Sequence, residues 1–142
     1  MNADLTIQVQ HEPGYVIATV AGEIDIATVA QLRQRLVVLA ESGQPVIADL
    51  EQVSFMDAAG LGALVGASRR AIANGASLRV VCSRRETRRL FRLTGLDRQV
   101  PLAHTLAEAL HALQGTRDAP DDKPPGEPRS EAPRLPRQNR PL

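Results

Sequence analysis

Val46 to Ser68, V-I-A-D-L-E-Q-V-S-F-M-D-A-A-G-L-G-A-L-V-G-A-S, is the stretch from which the organisation of this 142-residue chain is read. Pro45 opens an apolar run, Val46 to Leu50, which reads as a buried strand. Asp57 follows within one short turn, and an aspartate there can accept a hydrogen bond from the free amides of a starting helix. A helix of small residues begins at once with Ala58, Ala59, Gly60 and Leu61, and its spacing carries Leu61, Leu64, Val65 and Ile72 inward. Asn74-Gly75 closes it with residues that tolerate a left-handed C-terminal turn.

Elements of the same kind lie on both sides. Upstream, Leu5, Ile7 and Val9 alternate with polar residues as in a half-buried strand. His11-Glu12-Pro13-Gly14 reads as a turn, Tyr15 to Val20 as the returning strand, and Ile26 to Ala40 as a helix with Val29, Leu32, Leu36 and Leu39 on one stripe. Downstream, Leu78 to Cys82 is a strand. Ser83 and Glu86 have the spacing of a capping box for a third helix that stops at Gly95. A short strand near Gln99 to Leu102 and a helix from Thr105 to about Leu113 complete the domain. The order β-β-α-β-α-β-α-β-α predicts an α/β domain over residues 1–114, a mixed sheet with about four helices packed against it. Residues 115–142 hold seven of the ten prolines and few apolar side chains, so they are predicted to be a disordered Pro/Arg-rich tail. Arg134, Arg137 and Arg140, three apart, would align along one edge of a polyproline II helix; the tail is either simply solvated or a docking segment.

Composition narrows the function. Tyr15, Phe55 and Phe91 are the only aromatics, which argues against the stacking platforms of single-strand nucleic-acid binders. Cys82 is the only cysteine, which excludes an internal disulfide and any cysteine-cluster metal site. No stretch approaches about 20 continuous apolar residues, and the start does not read as a signal peptide, so a cytoplasmic protein with no membrane span is expected. The net charge of +1 hides an asymmetry: residues 1–68 set eight acidic side chains against Arg33 and Arg35, while residues 69–114 set nine arginines against Glu86, Asp97 and Glu108. Opposed charge of this kind suits a protein partner better than nucleic acid.

The segment around Asp57 resembles the phosphoacceptor loop of the STAS family, whose best-known members are bacterial anti-sigma factor antagonists, and the order of elements is that of the STAS fold. The likeness covers residues 4 to about 113. It implies that the helix start, Asp57, Ala58, Ala59, Gly60, Leu61 and Gly62, is the centre of contact with an anti-sigma factor that has a histidine-kinase-like ATP-binding fold. Asp57, Gly60 and Gly62 match the family motif. The family's phosphorylatable serine is here Ala58, which cannot accept a phosphoryl group. The chain would then be either an antagonist that its kinase partner cannot switch off, or a structural STAS subunit of a stress-sensing scaffold or lipid-transport complex. Gly22-Glu23-Ile24-Asp25 resembles the family's acidic G-E-x-D loop. It is read either as turn chemistry or as a flank of the partner surface, with Asp25 anchoring an arginine. A third idea is a STAS domain that binds a small molecule such as a nucleotide or lipid.

Other features carry less. Gly60-Leu61-Gly62-Ala63-Leu64-Val65-Gly66 has the wrong spacing for a dinucleotide fingerprint. Arg84, Arg85, Arg88, Arg89 and Arg92 recur at helical spacing as a solvated face or a docking surface for an acidic protein or anionic membrane. Ser54 reads as a loop-backbone donor rather than a substitute phosphoacceptor. His11, His104 and His111 assemble no catalytic set or metal cluster, so neither an enzyme nor a cofactor is expected.

Overall fold

In the computed structural model, which describes residues 5–118, the opening alternation becomes β1 (Thr6–Glu12), returning through Pro13-Gly14 into β2 (Tyr15–Ile24). The turn takes only two residues, with Gly14 at φ +90°, so His11 and Glu12 belong to the strand rather than to the turn. There follow α1 (Val29–Ala40), β3 (Val46–Met56), α2 (Ala58–Ala73), β4 (Leu78–Val81), α3 (Arg85–Thr94), a 3-10 turn at Leu96–Arg98, β5 (Leu102–Ala103) and α4 (Leu106–Asp118). This is the mixed α/β arrangement with four helices that the sequence predicts.

The sheet has order β1-β2-β3-β4-β5, antiparallel between β1 and β2 and parallel from β2 onward. Parallel neighbours need crossovers, and the three long amphipathic segments supply them. Alternation then sorts the strands: Val16, Ala18, Val20, Val46, Ala48, Leu50, Leu78 and Val80 join Leu32 and Leu36 of α1, Leu61 and Leu64 of α2 and Phe91 of α3 in one buried cluster. Burying each such aliphatic side chain contributes about 1.5–3 kcal/mol before entropy is charged against it. Ile17, Ile47 and Val81, one register step away, are also buried, so the middle strands are apolar on both faces.

Several boundaries differ from the sequence reading, some for local and some for long-range reasons. β2 and β3 run to Ile24 and Met56 because they continue to pair with each other after β4 has ended, through register shifts between Thr19 and Ala21 and between Gly22 and Glu23. α1 begins at Val29, not Ile26, because the Asp25 carboxylate ties up the amides of Ala27 and Thr28 in a turn; Ile26 is left 83% exposed. Ser83 forms no capping box. Its amide and hydroxyl both donate to Glu51, at 2.5 and 2.6 Å, and Arg84 takes the N-cap position without a side-chain cap. Ile72 faces solvent and Ala71 takes the inward place. β5 is Leu102–Ala103, after the 3-10 turn uses up the preceding residues.

Residues up to Ala109 form one compact unit, and in the second, from Leu110, the described part is the end of α4. That helix runs to Asp118, four residues into the stretch read as tail; the rest of the tail, with Arg134, Arg137 and Arg140, lies outside the described residues.

Candidate functional site

Glu23 pairs in register with Phe55, and Ile24 with Met56, so the acidic loop after β2 and the start of α2 after β3 emerge side by side. Two cross-links hold them: the Asp57 amide donates to the Ile24 carbonyl (3.2 Å), and the Ser54 hydroxyl donates to the Gly22 carbonyl (3.3 Å). Gly22 has φ +112°, a conformation that glycine alone adopts cheaply, and it marks one of the register shifts. Ser54 is thus the loop-backbone donor that its sequence position suggests.

At the helix start, Asp57 is extended and its Oδ1 accepts from the Ala59 amide at 2.9 Å. A capping bond of this kind contributes about 1 kcal/mol, so Asp57→Ala is expected to lower unfolding stability by 0.5–2 kcal/mol in urea denaturation. Gly60 is buried against the strand ends: a Cβ there would lie 2.5 Å from the Met56 Cγ and 2.8 Å from the Ile24 Cγ2. Leu61 also points inward, 2% exposed. The surface offered to another molecule is therefore made by Ala58 and Gly62, both exposed, with Ala59 half-buried between them. Gly66, one turn further along, is also exposed, and a Cβ added at Gly62 or Gly66 would meet nothing within 4 Å. The sequence places Gly66 only in a glycine run with the wrong spacing for a dinucleotide fingerprint.

Asp25 is half-buried, and its Oδ1 accepts from the amides of Ala27 (2.9 Å) and Thr28 (3.2 Å). The Thr28 hydroxyl accepts from the Asp25 amide at 3.0 Å and donates to the Glu23 carbonyl at 2.8 Å. Turn chemistry therefore accounts for one oxygen of Asp25. Glu23, on β2, is exposed.

A second feature of this end of the sheet was not anticipated. Between the end of β3 and the start of α3 lies a cleft of about 290 Å³, lined by Ser54, Phe55, Met56, Arg84, Glu86 and Thr87. Phe55 is 52% exposed on its rim, and Arg84 donates to the Ser54 carbonyl at 3.3 Å. Thr87, one of its lining residues, is buried; burial pushes the nearby Cys82 thiol up from its usual pKa. No simple strand alternation announces Phe55, because Val53 and Met56 are buried while Ser54 and Phe55 are both exposed.

The arginine band divides. Arg84 and Arg88 are engaged with the carbonyls of Ser54 and Cys82, while Arg85, Arg89 and Arg92 lie on the solvent face of α3. The acidic and basic halves of the sequence meet through the Glu41–Arg70 ion pair. Among the described residues no group of histidine, cysteine or carboxylate side chains could hold a metal ion, and no helix is long and apolar enough to cross a membrane.

Comparison with known proteins converges on one family. Residues 6–109 match the STAS domain model. The anti-sigma-B factor antagonist of Bacillus subtilis is 36% identical over 93 residues, covering 66% of this chain and 85% of that protein. The anti-sigma-F factor antagonist RsfB of Mycobacterium tuberculosis is 32% identical over 114 residues, covering 80% of this chain and 93% of that one. Among solved structures, an anti-sigma factor antagonist from Mycobacterium paratuberculosis superposes with a TM-score of 0.74 at 30% identity, over 80% of this chain and 97% of its own.

Proposed function

This chain belongs to the STAS domain family, and from that premise we propose that it is an anti-sigma factor antagonist whose usual phosphorylation switch is missing. It binds an anti-sigma factor with a histidine-kinase-like ATP-binding fold, and the sigma factor so released directs transcription in the cytoplasm. The chain itself touches no DNA.

The observation that carries the reading is the exposed start of α2. Ala58 and Gly62 leave a low surface at the positive end of a 16-residue helix, hydrogen-bonded through Asp57 to the acidic loop of Glu23 and Asp25. A partner can approach that backbone closely. In an antagonist with serine at position 58, phosphorylation would add about −1.5 to −2 charges there and expel the partner. Ala58 has no oxygen to carry the group. Three other hydroxyls are already engaged: Ser54 with the Gly22 carbonyl, Thr28 with that of Glu23, and buried Ser68 with that of Gln99.

The test restores the hydroxyl. Ala58→Ser, incubated with the anti-sigma factor and ATP, is expected to gain one phosphate by intact mass and to lose its partner, while the native chain gains none. If the serine variant binds its partner yet stays unmodified, the partner is not acting as a kinase on this position, and the account of the switch falls.

A further inference from the structure

We propose that the interface extends beyond the start of α2 into the cleft between β3 and α3, and that this cleft receives an apolar side chain of the anti-sigma factor carried beside a basic residue. The proposal rests on the reading of the chain as an anti-sigma factor antagonist and adds a second contact to it.

The cleft lies on the same end of the sheet as the candidate site. Phe55 stands opposite Glu23 in the β2–β3 register and two residues before Asp57, so one partner surface can cover the acidic loop, the helix start and the cleft together. The volume of about 290 Å³ has room for one or two side chains. The wall is apolar where Phe55 and Met56 contribute to it. A half-exposed phenylalanine beside a concavity is the kind of aromatic anchor that carries most of the energy in a protein interface, because closing over it removes a large apolar area from water.

Charge selects the flanking residue. Among the described residues Arg84 is the one cation lining the cleft, and its guanidinium donates to the Ser54 carbonyl. Glu86 also lines the cleft, and Glu23 stands opposite Phe55 in the strand register; both are exposed. A partner segment in which a basic side chain adjoins an apolar one would turn its cation toward Glu23 and Glu86 and its apolar group toward Phe55.

The experiment uses the full chain and the purified anti-sigma factor of the source organism, titrated calorimetrically, with Phe55→Ala, Phe55→Leu, Glu86→Arg and Gly62→Gln as variants. Phe55→Ala is expected to weaken binding roughly tenfold or more, Phe55→Leu to recover most of the loss, and Glu86→Arg to weaken binding with a smaller dependence on salt. Phe55 is half exposed, so the fold should survive its truncation, and a thermal melt verifies this. Hydrogen exchange on the native complex provides an arm free of variants: protection is expected at 83–88 as well as at 58–62. Loss of binding in Gly62→Gln with full affinity in Phe55→Ala, or protection confined to 58–62, overturns the cleft contact and leaves the antagonist reading standing. A native chain that binds no anti-sigma factor overturns both.

Discussion

Gly62→Gln is expected to raise the melting temperature of the free chain while weakening its binding to the anti-sigma factor by tenfold to a hundredfold. The two effects have separate origins. Glycine inside a helix is about 0.8–1 kcal/mol less favourable than alanine, and glutamine is nearly as good a helix former as alanine. Gly62 lies inside α2 with an ordinary helical backbone and open space where a Cβ would be, so nothing in the fold demands a glycine there. The substitution should therefore stabilise the chain by roughly 0.5–1 kcal/mol. An exposed glycine that weakens its own helix is accounted for if another backbone must come within reach of the helix surface. A glutamine side chain would hold that backbone off, at a loss of about 1.4–2.7 kcal/mol in binding free energy. Gly66→Ala, one turn on and with only a methyl added, should act in the same directions by less. A variant that melts higher and binds as before would mean that the start of α2 is not the contact.

Gly60→Val is expected to act in the opposite sense, through the fold. The first carbon added would sit 2.5 Å from the Met56 Cγ, 2.8 Å from the Met56 Sδ and 2.8 Å from the Ile24 Cγ2. Ile24 is 0% and Met56 8% exposed, so both side chains belong to the buried core against which α2 packs. Overpacking of this kind typically costs 1–3 kcal/mol, and valine's two methyls beyond the Cβ place the loss near the upper end, about 3 kcal/mol, although valine is a better helix former than glycine. α2 would have to lift from the strand ends, straining the hydrogen bond from Asp57 to Ile24 that joins the helix start to the acidic loop. Urea denaturation measures the loss directly. A change below about 0.5 kcal/mol would contradict the close packing of α2 on β2 and β3. The two glycines stand two residues apart and serve different ends, one admitting the strand ends and the other leaving the outer surface low.

That contrast marks what was legible in the sequence. The motif places Gly60 and Gly62 together, and apolar periodicity identifies the strands and helices, because Leu32, Leu36, Leu61 and Leu64 repeat at the spacing that burial imposes. Periodicity cannot say which of two neighbouring glycines faces the core, since a hydrogen atom in place of a side chain leaves no polarity to read. Ends of elements were legible only where local chemistry decides them, as at Asp57, Asn74-Gly75 and Gly95. They were misread where a distant group intervenes. Ser83 is drawn to Glu51, which leaves α3 without its capping box, and β3 is prolonged by a partner strand over 30 residues earlier in the chain. The cleft beside Phe55 follows from both of these long-range effects, because the prolonged β3 and the uncapped start of α3 form its two walls.

The most direct measurement mixes the native chain with the purified anti-sigma factor and ATP, and follows the complex by size-exclusion chromatography while the chain's intact mass is read. A complex that persists through the incubation, with the chain's mass unchanged, is the predicted result. A complex that dissociates as the chain gains phosphate, or no complex at all, would contradict an antagonist that escapes its partner's kinase.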